Sequence, residues 1–288
     1  MSTRILALLT DFGSQDAYVG VMKAVVLARY PHLPLVDLTH EVPPHNLLSG
    51  AYLLYSAWDY LPAGSAVCAV VDPGVGSSRG ALLGREGGRY LVAPDNGLLS
   101  LVARMKPHLE VFALETAAIP RLFPALGRGE RSKGGGPPQG RQPGTTFDGR
   151  ELFAPAAALC AAGQARRVLG GRLEPLRLPE VLPSSDEGQG PALRGCILHV
   201  DRFGNCITSL HRLDLEGRLP PGRFTVQAGA LALRGLRRSY AEAQPGEALA
   251  LIGSAGFLEI SVREGSAAAT CRLSVGDAVR VRESDSDA

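Results

Sequence analysis

Short apolar runs closed by polar turns alternate with stretches of helical periodicity along the first 160 or so residues. Ile5 to Leu9 is an apolar strand that ends in Thr10-Asp11-Phe12-Gly13, and Tyr18 to Ala28 repeats its apolar positions at helical spacing. Leu35 to Leu38, Ala66 to Val71 and Tyr90 to Val92 read as further strands, with helical segments at Leu47 to Tyr55 and Gly97 to Met105. This alternation predicts βα units and a mainly parallel sheet, an α/β fold.

The texture then changes twice. Phe123 to Pro143 collapses into Gly, Arg, Pro, Lys and Gln, and predicts a flexible surface insertion, because it has little apolar surface to offset its ordering entropy. Leu152 to Ala162 returns as an Ala-rich helix. Leu182 to Ala192 has linker composition. Beyond it, Gly195 to Asp201, Asn205 to Leu210, Arg223 to Ala228, Ala248 to Ile252, Leu258 to Val262 and Ala278 to Val281 are short strands with turn residues between them. These predict a smaller antiparallel β-barrel-like domain. The expected organisation is an α/β domain over residues 1–181, a linker over 182–192 and a β domain over 193–283, with a frayed acidic tail.

Composition removes several functional classes. A formal net charge of +2 and 20% charged residues give no reason to expect a nucleic-acid or membrane partner. No apolar run approaches the roughly 18 residues that a membrane span needs, and the opening residues are too short for a secretory signal. The five cysteines are scattered without a CxxC or zinc spacing, which predicts free thiols in a reducing cytoplasm and no metal site. His32, His40 and His45 share a Pro-rich stretch without ligand spacing.

Five polar clusters stand at strand-to-loop junctions, where ligands bind in open α/β sheets. Thr10-Asp11-Phe12-Gly13 offers a carboxylate suited to a ribose diol, and is equally an ordinary turn. Val70-Val71-Asp72-Pro73-Gly74-Val75-Gly76-Ser77-Ser78-Arg79 places an acid at the end of a buried strand and an arginine seven residues on. The pair would hold a small polar reactant or brace the loop. Pro94-Asp95-Asn96-Gly97 is a turn signal. Thr145 to Glu151 precedes a helix, so its Thr and Asp suit either capping or chemistry. Asp201-Arg202-Phe203-Gly204-Asn205 joins two strands, with an aromatic ring and an amide fit to meet a base.

Together, in this order and at these intervals, the clusters resemble the S-adenosyl-L-methionine hydroxide adenosyltransferases, whose superfamily includes the fluorinase and chlorinase. The resemblance runs from LLTDFG to GSAGFLEISV and the Ala-rich run at Ala267, leaving out the Phe123 to Pro143 segment. It implies an N-terminal α/β domain, a C-terminal β-barrel-like domain, and a homotrimer with the site between subunits. It also implies hydrolysis of S-adenosyl-L-methionine to adenosine and L-methionine by attack of water or hydroxide on C5′, with no cofactor or metal. Carried across, Asp72 and Arg79 would be catalytic, Asp72 lining the site near the reacting carbon. Asp11 would hold the ribose hydroxyls, and His45 would lie against adenine. Asp201 and Ser254 would anchor the amino-acid end. Asn205 and backbone groups near Val262 would read adenine, with Glu259 a weaker candidate there.

One position departs from the family pattern. Hydrolases of this family carry His where this chain has Asp148, in a TFHGRD-like segment. A carboxylate here accepts a proton but does not donate one. With Arg79 between Asp72 and Asp148, Asp148 would serve as the general base for water. The alternatives are a weakly active or non-catalytic binding protein, and a halogenase. The halogenases have tyrosine at the position of Asp72, and a halide beside a carboxylate would be repelled by several kcal/mol.

Overall fold

The computed structural model describes residues 4–123, 147–173, 192–216 and 224–283. The chain separates into two units, Met1–Pro179 and Glu180–Ala288.

The first unit is built on a seven-stranded sheet of β1 (Leu6–Thr10), β2 (Leu35–Thr39), β3 (Ala66–Val70), β4 (Ala81–Glu86), β5 (Arg89–Pro94), β6 (Glu110–Leu114) and β7 (Leu169–Arg172). Their order is β2-β1-β3-β5-β4-β6-β7. The β2-β1-β3-β5 portion is parallel. β4 runs against both β5 and β6, and β7 against β6. β6 therefore runs with β1, and the sheet is mainly parallel in strand direction. β4 returns to β5 through Gly87-Gly88, both at positive φ, the pairing that a two-residue hairpin requires.

Every residue of β1 and β3 is buried, which is why their sequences show unbroken apolar runs. The period of two divides each strand between the sheet's two faces. Leu6 and Leu8 pack with Met22 and Val26 of α1 (Tyr18–Arg29) and with α5 (Ala154–Ala161). Ala7 and Leu9 pack with Leu54 and Trp58 of α2 (Leu47–Trp58) and Val102 of α3 (Ser100–Met105). A short α4 (Ile119–Leu122) leads to Phe123. Phe123 opens the stretch expected to be a surface insertion, yet it is buried in the core beside Tyr30. The rest of that stretch lies outside the described residues, as do residues 182–191 of the expected linker and the tail beyond Glu283.

The second unit is an antiparallel, nearly closed barrel. Its strands are β8 (Leu193–Val200), β9 (Cys206–His211), β10 (Phe224–Ala228), β11 (Leu231–Arg234), β12 (Ala248–Ile252), β13 (Phe257–Val262) and β14 (Ala278–Glu283). They follow the order β11-β10-β14-β8-β9-β13-β12. The open edges meet just past β11, where the Arg237 N–H donates to the Ala250 carbonyl at 2.8 Å. Inward residues such as Ile197, Phe224, Val226, Leu258, Ile260, Val279 and Val281 fill its core. Two short helices, α6 (Arg212–Leu215) and α7 (Ala267–Cys271), decorate it.

Candidate active site

β1 connects to β2 on one side, while β3 lies on its other side, so the strand order reverses between β1 and β3. Such a switch point opens a crevice at the carboxyl ends of the strands. Thr10 and Val70 are in register there, so Asp11 and Asp72 leave the sheet from neighbouring strands.

Asp72 follows β3, and the loop to β4 brings Arg79 back onto it. The Arg79 Nε donates to both carboxylate oxygens of Asp72, at 2.8 and 2.9 Å, and Nη2 also meets Asp72 Oδ2. The same Nη2 donates to Asp148 Oδ2 at 2.8 Å. One guanidinium thus joins two carboxylates, one seven residues before it in the chain and the other 69 residues after it. The three side chains are 4%, 9% and 1% exposed in the order Asp72, Arg79, Asp148. Burial works against the Arg79 charge, but the hydrogen bonds and charges of Asp72 and Asp148 outweigh it and raise its pKa. Arg79 therefore stays cationic at any working pH. Its guanidinium also stacks over Phe153, 5.2 Å from the ring centre.

The loop is held from both sides. Val75 N–H donates to Asp72 C=O, and Arg79 N–H to Ser77 Oγ. Beneath it, Asn96 Nδ2 donates to Val71 C=O at 2.8 Å, while Asn96 Oδ1 accepts the Leu98 N–H. Asn96 braces the residue just before Asp72, a function that its turn motif alone did not reveal. Asp95 beside it has its pKa raised by burial.

Asp148 enters a wide π-helical turn, Gly149–Phe153, that continues into α5. Pro155 has no N–H for the Glu151 carbonyl, and the next lower donor, Ala154 N–H, reaches Gly149 C=O instead. Phe147, just before Asp148, packs against Phe12 and Tyr18 with ring centres 5.8 and 5.2 Å apart. This aromatic group ties the Asp11 turn to the Asp148 segment.

Asp11 Oδ2 accepts the His45 N–H at 2.8 Å, and His45 Nδ1 is 3.9 Å from the same oxygen. His45 takes a left-handed φ of 64°, uncommon outside glycine, and its side chain is 71% exposed while that of Asp11 is 7%. Asp11, His45, Asp72, Arg79 and Asp148 all belong to the first unit.

In the second unit, Asp201 organises the loop between β8 and β9. Its Oδ1 accepts the N–H groups of Phe203 and Asn205, both at 2.9 Å, and its Oδ2 accepts Asn205 Nδ2 at 2.9 Å. Gly204 has a φ of 84°, and a Cβ there would lie 2.9 Å from Ser266 Cα, so only glycine fits. Phe203 is exposed at the tip. Ser254 is exposed in the turn between β12 and β13, at the His211 end of β9, whereas Asp201 and Asn205 stand at its Cys206 end. Glu259 is buried on β13, where its Oε1 accepts the hydroxyls of Tyr240 at 2.6 Å and Ser261 at 2.7 Å. The Val262 carbonyl accepts the Gly265 N–H at 3.1 Å.

Among the described residues, no three His, Cys, Asp or Glu side chains gather into a metal-binding group, and no helix is long and apolar enough to cross a membrane. All five cysteines are free, and burial pushes the Cys160 and Cys206 thiols up to about 12, which disqualifies them as nucleophiles.

The sequence matches the family models of the SAM hydroxide adenosyltransferase N-terminal domain over residues 6–170 and C-terminal domain over residues 195–280. It is 40% identical over 277 residues to an (R)-S-adenosyl-L-methionine hydrolase of Thermus thermophilus, covering 95% of this chain and 97% of that one. A protein of the same name from Salinispora arenicola is 33% identical over 285 residues, covering 97% and 98%. The crystal structure of an uncharacterized conserved protein from Thermotoga maritima superposes with a TM-score of 0.77 at 30% identity, covering 97% of this chain and all of that one. This chain belongs to the SAM hydroxide adenosyltransferase family.

Proposed function

We propose that this protein hydrolyses S-adenosyl-L-methionine to adenosine and L-methionine. The observation that carries the reading is the pair of buried carboxylates joined by Arg79 at the switch point of a sheet whose relatives are named for this hydrolysis. Each carboxylate has about four lone-pair sites, more than the guanidinium uses, so a water can be held and oriented between them. As the water oxygen bonds to C5′, its proton passes to a carboxylate. The C5′–S electron pair leaves with sulfur, which changes from a sulfonium to the neutral thioether of methionine. The leaving group needs no acid, so orientation and water activation are the whole task.

In this reading Asp72 and Arg79 hold the reacting water and Asp148 receives its proton. Asp11 binds the ribose diol and His45 covers adenine. Asn205 and the backbone near Val262 read the base edge, and Ser254 takes the amino-acid end. The family resemblance implies that Asp201 joins Ser254 there. Its oxygens are instead engaged with Phe203 and Asn205 at the other end of β9, so we assign it the shaping of the adenine loop. Glu259, with two hydroxyls on one oxygen, supports β13 beneath the Ser254 turn. We further propose a homotrimer, following the family resemblance, and a cytoplasmic location, in keeping with the free thiols. No cofactor enters the scheme.

A halogenase reading fits less well. Two carboxylates share one guanidinium, so a halide would face net negative charge. At 4 Å and an effective dielectric of about 20, each uncompensated like-charge pair costs about 4 kcal/mol. Incubation with S-adenosyl-L-methionine in chloride buffer, followed by mass analysis, tests the assignment. Adenosine and methionine are expected, and a 5′-chloro-nucleoside or unchanged substrate would overturn it.

A further inference from the structure

One buried group close to this site takes no part in the scheme above. His40 follows β2, and its side chain is 10% exposed. Its Nδ1 lies 2.8 Å from the hydroxyl of Thr10, the last residue of β1, which is completely buried. That hydroxyl also accepts the Phe12 N–H at 3.3 Å. On its other side the ring meets Asp37: Nε2 stands 3.1 Å from Asp37 Oδ1, in charge contact though out of hydrogen-bond alignment. Asp37 pairs with Lys23 at 2.6 Å. The main chain repeats the connection. Gly13 N–H donates to His40 C=O at 2.8 Å, Val42 N–H to Thr10 C=O at 3.4 Å, and His45 N–H to the Asp11 carboxylate.

The order of donors and acceptors follows from this geometry. Burial works against the Asp37 charge, but Lys23 and His40 outweigh it and keep Asp37 below its ordinary pKa, hence ionised. An anion beside Nε2 favours the tautomer with its proton there, which leaves Nδ1 as an acceptor. The Thr10 hydroxyl then points its single proton at Nδ1 and turns its lone pairs toward the Phe12 N–H. Removing that acceptor frees the rotor, and the first turn after β1 loses its side-chain anchor. A carboxylate that must meet two ribose hydroxyls at once tolerates little displacement.

We propose that His40, oriented by Asp37, is a positioning residue that fixes the Thr10 hydroxyl and through it aims Asp11 for ribose recognition. This rests on the assignment of Asp11 to the ribose diol. The competing account is a histidine that merely fills space, whose loss would lower stability and leave ribose discrimination unchanged.

The two differ in nucleoside selectivity. Binding of adenosine and 2′-deoxyadenosine is measured by calorimetry on the full chain and on Thr10→Val, His40→Gln and His40→Asn. Asparagine sets its carbonyl oxygen near the place of Nδ1, whereas glutamine reaches the place of Nε2. Thr10→Val and His40→Gln should each reduce the preference for adenosine by about three- to tenfold, the net worth of one hydrogen bond. His40→Asn should keep most of it, and the Thr10→Val/His40→Gln double variant should lose no more than either single one. A folded His40→Gln protein with undiminished preference, or a His40→Asn variant no better than His40→Gln, would overturn the proposal. If the unmodified protein does not distinguish the nucleosides, it is the Asp11 assignment that fails. Amide exchange then decides on His40: faster exchange at Phe12 in His40→Gln than in His40→Asn supports the anchor, and equal exchange refutes it.

Discussion

Arg79 is the residue on which the two acids depend. Without it, Asp72 and Asp148 would be like charges confined in a nearly dry site, so Arg79→Ala should lower kcat by about 100-fold or more and also cost stability, as expected when a buried ion pair loses one partner. Asp72→Asn keeps the shape and should depress kcat far more than it raises KM. At position 148, Asp148→Asn should nearly abolish turnover. Asp148→His should retain it and move the pH optimum toward about 6.5, where imidazole titrates. Equal rates in all three forms would remove Asp148 from the chemistry. Asp95 offers a contrasting test. Its pKa is raised by burial, so its ionised form opposes folding, and the penalty grows as pH rises through the raised value. Asp95→Asn should therefore raise Tm at pH 7 by the equivalent of less than about 1 kcal/mol, because the carboxyl keeps part of its water, and the gain should fade toward about pH 4. Thermal melts at the two pH values check both sign and window.

The elements show what a reader of the sequence can and cannot find. β1 and β3, buried on both faces, stand out as continuous apolar runs, and the helices α1 and α2 stand out by their period. β4, β6, β7 and β11 do not stand out from the sequence pattern. β4 reads ALLGRE and β7 LGGR, with charges or glycines where a strand pattern needs apolar residues, because their ends reach solvent and neighbouring strands supply the pairing. The acids at strand ends were visible as motifs, since strand-then-Asp-then-Gly is a local pattern. Asn96 under Val71 and His40 beside Thr10 were not, because their roles depend on contacts 25 and 30 residues away. α5 carries a further lesson. All eight of its residues are buried, and the first five are all alanine or proline, so it fits only because its side chains are small. Ala157→Leu should overpack it and destabilise the protein by about 1 to 3 kcal/mol, read as a fall in denaturant midpoint at unchanged m-value.

At the scale of the whole molecule, the residues assigned to one substrate are divided between the two units: Asp11, Asp72, Arg79 and Asp148 on the first, Asn205 and Ser254 on the second. A homotrimer whose sites lie between neighbours would take the first set from one subunit and the second from the next. Subunit mixing tests that arrangement directly. Asp72→Asn inactivates the contribution of the first unit, and Asn205→Ala that of the second, so each homogeneous preparation should have little activity. In trimers reassembled from equal amounts of the two, a site is intact only where a subunit with native Asp72 meets a neighbour with native Asn205. Random assembly makes this about a quarter of all sites, and roughly that fraction of native activity should return on mixing. If each site were built within a single chain, every site would keep one lesion and mixing would restore nothing. Activity at the level of the separate variants, in samples shown by mass to contain hybrid trimers, would therefore exclude the shared site while leaving the hydrolytic chemistry untouched.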